Sequence, residues 1–211
     1  MRATKIEVIS KELCRIAKEK RTQRILDMLH DSDHFGWEKW LQVELATRLQ
    51  KKSDIYFEDR NRLDLRKKKP YARRKNFNAF IDLVFREKGD LNGVFTAVEL
   101  KLKRSEQGLR AVLGDLTKIK DLTRKNWPFR SVVCVLVHGA TTDKKNSKYR
   151  KLSDELVRSS LAQRFRMREF TALVIGWNQN LTQNMTAENY GHWFKHVSEL
   201  FRKYDVRVRY E

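Results

Sequence analysis

Hydrophobic residues recur at helical spacing in the first fifty residues of the chain. The pattern over residues 4 to 29 predicts one long helix or two short ones, because the charged stretch 18 to 24 interrupts it. Capping residues at 31 to 33 precede a second amphipathic helix, predicted over 37 to 50. Its apolar positions are Trp37, Trp40, Leu41, Leu45 and Leu49.

Runs rich in β-branched and aromatic residues predict a series of strands after the second helix. Three of them lie at 54 to 58, 77 to 86 and 94 to 102, and residues 88 to 90 between the last two are typical of a hairpin turn. A fourth run, 131 to 137, is apolar without a break. Such a strand is buried on both faces, so we expect it at the centre of a sheet.

Helical spacing returns between and after these strands. It predicts a helix over 107 to 124, another around 152 to 165, and a C-terminal helix that carries the aromatic residues from Tyr190 to Tyr204. A further strand is expected at 170 to 175. The alternation of helices and strands from residue 37 onward predicts an α/β fold with a mixed sheet flanked by helices.

The charge of the chain indicates a polyanionic partner. Its 211 residues include 46 Lys and Arg against 27 Asp and Glu, a formal net charge of +19. Basic side chains bind phosphates by releasing condensed counterions, which makes nucleic acid the leading candidate. The densest basic run lies between 60 and 75, and a second lies between 144 and 151; either run taken alone is also typical of a solvated loop. The candidate nucleic-acid contacts are Arg66, Lys67, Lys68, Lys69, Arg73, Arg74 and Lys75.

Other classes of protein are disfavoured by the composition. Cys14 and Cys134 are the only cysteines, too few for a disulfide framework or a cysteine-based zinc module. No apolar stretch approaches the roughly 20 residues that span a bilayer, and the charged first 30 residues do not resemble a signal peptide. We therefore expect a cytoplasmic protein that has no membrane partner.

Two carboxylates occupy otherwise apolar strands. Asp82 lies within the run 80 to 84, where aspartate has a low β-propensity. In the run 98 to 102 the strand period of two places Glu99 and Lys101 on the face opposite to the apolar residues. A half-exposed strand also alternates in this way, so the pattern becomes informative only through the partner strand.

The predicted hairpin brings these carboxylates together. If the turn is centred between Asp90 and Leu91, Asp82 and Glu99 lie opposite each other with their Cβ atoms about 5 Å apart. Two carboxylates so placed repel unless a cation lies between them, and Mg²⁺ prefers carboxylate oxygens. Lys101 on the same face can orient or help deprotonate an attacking water and offset charge on a phosphate. The combination predicts a site that cleaves phosphodiesters.

Glu44 is a further candidate, on the second helix. It follows Leu41 by three residues and precedes Leu45, which places it on the predicted apolar stripe. A lone glutamate is costly to bury. In the alternative interpretation, a small rotation of the helix lets Glu44 reach water.

These residues resemble the signature of the PD-(D/E)xK nuclease superfamily. Phe80-Ile81-Asp82 followed by Val98-Glu99-Leu100-Lys101 is similar to its Asp on one strand and Glu-x-Lys on the next, with Ile81 in place of the proline. Glu44 resembles the helix glutamate that many members add to the metal shell. The resemblance covers residues 37 to 138 and implies a restriction-endonuclease-like core.

The resemblance implies a single nuclease domain over 1 to 211. Residues 1 to 36 would form a helical N-terminal extension, 37 to 138 the core, and 139 to 211 an α/β extension that completes the fold. The implied activity is hydrolysis of DNA by a divalent-metal-dependent endonuclease. Its metal ligands would be Asp82, Glu99 and Glu44, with Lys101 as a further catalytic residue.

The cofactor implied is Mg²⁺, with Mn²⁺ as a substitute. Candidate partners besides DNA are a second copy of the chain or the components of a defence or mobile-element complex. Two alternatives remain open: a nucleic-acid-binding module that keeps the fold without the chemistry, and a junction-resolving or transposase-associated nuclease.

Overall fold

A six-stranded mixed sheet lies at the centre of the protein, with helices on both of its faces. The computed structural model describes residues 5–22, 24–25, 37–51, 53–57, 81–87, 95–102, 105–122, 129–139, 147–167, 170–176 and 186–206. Among the helices of these segments, none is both long enough and apolar enough to cross a membrane.

The described elements alternate between helices and strands along the chain. They are α1 (Lys5–Lys18), α2 (Trp37–Leu49), β1 (Ser53–Phe57), β2 (Leu83–Glu87), β3 (Phe95–Leu102), α3 (Ser105–Leu122), β4 (Phe129–Gly139), α4 (Lys148–Arg158), β5 (Ala162–Met167), β6 (Phe170–Gly176) and α5 (Ala187–Lys203). The α/β class and the flanking helices predicted from the sequence are confirmed.

The strands follow the order β1-β2-β3-β4-β6-β5 across the sheet. Strands β3 and β4 pair in parallel and are connected through α3, whereas all the other neighbours pair antiparallel. Strand β4 lies between β3 and β6, and every residue from Ser131 to His138 is buried. This confirms the central strand expected from the unbroken apolar run.

Alternate residues of the strands belong to two separate hydrophobic cores, one on each face of the sheet. One face is covered by α1 and α2 and takes Leu83, Phe85, Val98, Leu100, Val133, Val135, Val137, Ala172 and Val174. The other is covered by α3, α4 and α5 and takes Val84, Ala97, Val132, Cys134, Leu136, Leu173 and Ile175. Because successive side chains point to opposite faces, Glu99 and Lys101 of β3 fall on the α3 side.

Helix α1 belongs to the first of these cores. Its residues Ile6, Ile9, Leu13 and Ile16 have the helical spacing that forms one apolar stripe, and each is at most 2% exposed. They pack against β5 and β6 and against α2. The N-terminal helical region therefore covers the sheet rather than projecting from it.

The helix predicted around 152 to 165 is wrong in its second half. Helix α4 ends at Arg158, and the chain continues as strand β5, which pairs with β6. Ser160 has a φ of 56°, and the Leu161 N–H donates to the carbonyl of Leu156, as in a Schellman cap. Glycine usually marks this left-handed position, so a serine there removes the usual sequence signal for the end of a helix.

Helix α3 approaches the sheet closely at Gly108. A Cβ at this position would lie 2.2 Å from Leu136 Cδ1, and Leu136 is fully buried in β4. Further along the helix, Leu116 accepts a hydrogen bond of 2.8 Å from the Tyr190 hydroxyl on its carbonyl. The helix that follows β3 is thus fixed against both β4 and α5.

We predict opposite effects for two glycine substitutions in α3. Gly108→Ala should destabilise the protein, because its methyl group overlaps Leu136 in a filled core. Gly114→Ala should stabilise it by up to about 1 kcal/mol, because alanine favours the helix. At Gly114 a Cβ would meet no described atom within 4 Å beyond its own helix backbone and chain neighbours.

Urea unfolding measures the free energy of unfolding of each variant. We expect Gly108→Ala to be less stable than Gly114→Ala by about 1–3 kcal/mol, the usual cost of overpacking a core. Equal midpoints would contradict the close approach of α3 to β4.

Candidate active site

Four carboxylates surround the ammonium group of Lys101, the second-last residue of β3. The Nζ atom lies 3.0 Å from Asp115, 3.7 Å from Asp82, 3.7 Å from Glu38 and 3.8 Å from Glu99, each measured to the nearest carboxylate oxygen. The side chain of Lys101 is 16% exposed. The carboxylates come from α2, from the residue before β2, from β3 and from α3, so four parts of the fold meet at this cation.

Pairing of β2 with β3 places Asp82 beside Glu99. The antiparallel register joins Leu83 to Val98, Val84 to Ala97 and Phe85 to Thr96. Continued by one residue, it puts Asp82 across from Glu99. The register predicted from the centre of the hairpin turn is therefore confirmed.

Asp82 is held by hydrogen bonds from two directions. The backbone N–H of Leu100 donates to its Oδ2 at 2.8 Å, and the amide Nε2 of Gln42 donates to its carbonyl oxygen. Gln42 lies on α2 and is 3% exposed. The bend that carries Asp82 is thus fixed to β3 by its side chain and to α2 by its backbone.

Glu99 is the most deeply buried of the four acids, with a side chain 1% exposed. A buried carboxylate requires a compensating charge, because transfer of an ion out of water is costly. Lys101, two residues along the same strand, supplies a positive charge on the same face. The Glu-x-Lys spacing therefore lets one strand bury an acid and its counterion together.

The charge state of Lys101 follows from these neighbours. Burial by itself would lower its pKa, but the carboxylates of Asp115, Asp82, Glu99 and Glu38 outweigh burial and raise the pKa well above the ordinary value of lysine. Lys101 is consequently a cation at neutral pH. Among the described side chains, four carboxylates lie within 4 Å of this one ammonium.

The structure does not bring Glu44 to this group. The side chain of Glu44 is 17% exposed and its carboxylate lies 3.6 Å from Arg21. The helix is rotated as in the alternative interpretation: its buried residues are Leu41, Gln42, Leu45, Ala46 and Leu49. The prediction of Glu44 as a site residue is corrected by this rotation.

Glu38 takes the position that was expected for Glu44. It lies four residues before Gln42 and seven before Leu45, on the buried stripe of α2. Glu38 and Glu44 are six residues apart, which separates them by about 9 Å along the helix axis and about 240° around it. They cannot serve the same site. The spacing of seven residues between Glu38 and Leu45 would have identified Glu38 from the sequence.

Sequence reasoning also missed Asp115 and Gln42. Asp115 follows Val112 by three residues and precedes Ile119 by four, and both of these residues are fully buried. The sequence spacing therefore predicts that Asp115 lies on the inner face of α3. Gln42 is bracketed by apolar residues of α2. A polar residue on a buried stripe was the available signal in each case.

The basic candidates are only partly described. Arg66, Lys67, Lys68, Lys69, Arg73, Arg74 and Lys75 lie outside the described residues. In the second basic run, Lys148 pairs with Asp205 at 3.0 Å and Arg150 with Asp154 at 3.3 Å. These two cations are engaged in ion pairs at α4.

The donor set at Lys101 suits a hard divalent cation. It consists of carboxylate oxygens, and these oxygens already lie around one positive centre. Among the described residues, no three His, Cys, Asp or Glu side chains are gathered in a metal-coordinating arrangement. With the ammonium at the centre, the oxygens lie 3.0–3.8 Å from it, whereas Mg²⁺ requires about 2.1 Å.

The chain was compared with protein-family models, with curated proteins and with solved structures, and none of the three comparisons found a match.

Proposed function

We propose that the protein is a divalent-metal-dependent DNA endonuclease that acts through Asp82, Glu99, Lys101 and Glu38. One observation carries the proposal: Asp82 and the Glu99-x-Lys101 pair meet on adjacent strands, on one face, around a buried positive charge. Glu38 replaces Glu44 in the set that the sequence suggested.

The order of the elements supports a restriction-endonuclease-like fold. The sequence resemblance implies a helix, three strands, a helix and a strand, and the chain shows α2, β1, β2, β3, α3 and β4 in that order. Strands β1, β2 and β3 are neighbours in the sheet, and α3 connects β3 to the parallel strand β4. The signature residues lie on β3 and immediately before β2, as the resemblance requires.

Asp82, Glu99 and Glu38 are the residues that would hold Mg²⁺ or Mn²⁺. A bound cation would supply Lewis-acid stabilisation of a phosphoryl oxygen and would make a water more acidic. The chain itself orients the acids: the Leu100 N–H fixes the carboxylate of Asp82, and Gln42 fixes its backbone. Because Glu99 is buried, its carboxylate is shielded from bulk water.

Lys101 fits the role of a positive group for the phosphate. The surrounding carboxylates keep it protonated, which favours stabilisation of developing negative charge over acceptance of a proton. Its place beside Asp82 and Glu99 would set that charge next to the scissile group.

The basic run between 66 and 75 is the proposed DNA contact. Lys75 and Asp82 are seven residues apart, and an extended chain spans at most about 3.5 Å per residue, so the two lie within about 25 Å. This bound lets Lys75 contact phosphates on a duplex bound at Asp82, whereas Arg66, sixteen residues from Asp82, has a looser bound of about 56 Å. The excess of 19 positive charges would draw DNA toward a site that is itself negative.

A nucleic-acid-binding module without chemistry is the alternative. Such a module would use the same basic residues but would have no need to gather four acids at one point, since they repel the phosphates it binds. The acidic group is therefore the feature that favours the enzyme.

Asp82→Asn and Glu99→Gln should each reduce cleavage about a thousandfold or more, because loss of a metal ligand removes several kcal/mol of transition-state stabilisation. Asparagine at 82 keeps an oxygen that can accept from the Leu100 N–H. The assay is incubation of circular and linear DNA with Mg²⁺, Mn²⁺ or EDTA. DNA binding, measured by fluorescence anisotropy, should persist in both variants; full cleavage by either would refute the site.

Glu38→Gln and Glu44→Gln form a matched pair on one helix. The first should lower cleavage and raise the Mg²⁺ concentration needed for half-maximal activity, because it removes a charge beside Lys101. The second should leave both quantities unchanged, since Glu44 pairs with Arg21 at the surface. A metal titration of cleavage compares them, and the reverse ranking would restore Glu44 to the site.

Divalent cations should stabilise the fold even without DNA. At a concentration one hundred times the dissociation constant, the gain is about 2.7 kcal/mol, which corresponds to about 5–10 °C in Tm for a chain of this size. Differential scanning fluorimetry with Mg²⁺ or Mn²⁺ measures this shift in Tm, and NaCl of equal ionic strength is the control. Glu99→Gln should lose the shift and Glu44→Gln should keep it. A shift retained by Glu99→Gln would place the cation elsewhere.

A further inference from the structure

The four carboxylates around Lys101 are not equivalent in distance. Asp115 lies 3.0 Å from the Nζ atom and forms the shortest of the four ion pairs, whereas Asp82, Glu38 and Glu99 lie at 3.7–3.8 Å. The three more distant acids come from the residue before β2, from β3 and from α2. Asp115 alone among the four comes from α3.

Helix α3 fixes the position of Asp115. Asp115 lies seven residues after Gly108, so both fall on the same face of the helix, and at Gly108 α3 lies close against Leu136 of β4. The neighbouring residue Leu116 is tied to α5 through the hydroxyl of Tyr190. Asp115 therefore meets Lys101 from a rigid support.

A divalent cation and the Lys101 ammonium would compete for the same acids. Both are positive, and a cation bound by Asp82, Glu99 and Glu38 would repel an ammonium that lay among them. Lys101 must then be held to one side by another negative charge. Asp115 is placed to do this, because its Oδ2 forms the shortest of the four ion pairs with Lys101 and comes from α3, which carries none of the other three acids.

We propose that Asp115 is a positioning residue, which anchors Lys101 beside the metal-binding acids and keeps its ammonium from occupying the metal position. This inference rests on the proposed function, since it assigns the metal to the other three carboxylates. Asp115 acts through Lys101 and is not itself a ligand.

Calorimetric titration with Mn²⁺, in the absence of DNA, tests the assignment with Asp115→Asn, Lys101→Met and the double variant of the full chain. Asp115→Asn should weaken Mn²⁺ binding about tenfold, because the released ammonium moves toward the three acids and competes. In the Lys101→Met background the same substitution should change the dissociation constant less than about twofold, since no ammonium remains to compete. Glu44→Gln is the control and should bind as the parent does.

Every other result of the titration either supports or overturns the proposal. Equal weakening in the two backgrounds would make Asp115 a metal ligand and overturn the proposal, as would an unchanged affinity in Asp115→Asn. If Asp115→Asn fails to fold while the double variant folds, the coupling to Lys101 is supported. If both fail, Asp115 is a structural residue and the proposal is overturned.

Urea unfolding without metal separates this inference from the proposed function. Asp115→Asn and Lys101→Met should shift the unfolding midpoint less than additively, because both remove the same short ion pair. Glu38→Gln with Lys101→Met should be closer to additive, given the longer distance. If the parent binds no Mn²⁺ but this coupling is present, the metal site fails and the anchoring of Lys101 stands. Additive shifts for the Asp115 pair would overturn the anchoring.

Discussion

The positive charge of Lys101 is the condition under which four acids can share one end of the sheet. Asp82, Glu99, Glu38 and Asp115 would repel one another, and burial of Glu99 alone is unfavourable. One ammonium within 4 Å of all four lowers that cost. The meeting of α2, β3, α3 and the residue before β2 at this point therefore depends on the charge of one lysine.

The sequence predicted those parts of the site that follow from the geometry of strands. Strand alternation placed Glu99 and Lys101 on one face, and the midpoint of a hairpin placed Asp82 opposite Glu99; both follow from a period of two, which leaves little freedom once the turn is located. The buried strand around Cys134 was predicted on another ground, because an apolar run without a break is typical of a strand covered on both faces.

The helical parts were harder to predict, because the phase of a helix depends on what it packs against. Helix α2 carries two glutamates, and the spacing of three residues from Leu41 pointed to Glu44 instead of Glu38. Only the packing of Leu41 and Leu45 against the sheet decides between them. The end of α4 was predicted wrongly for a local reason. Ser160 adopts a left-handed conformation, which a serine in the sequence does not indicate.

The separation of the site residues along the chain has a consequence for folding. Glu38 and Asp115 meet at one lysine although 77 positions separate them, and β3 is enclosed on both sides only when β4 has joined it in parallel. Such long-range contacts form slowly, because chain entropy must be lost before they provide stabilisation. A growing chain contains all four acids once α3 has been made, but it can enclose β3 on both sides only after synthesis has passed β4 and the sheet has closed.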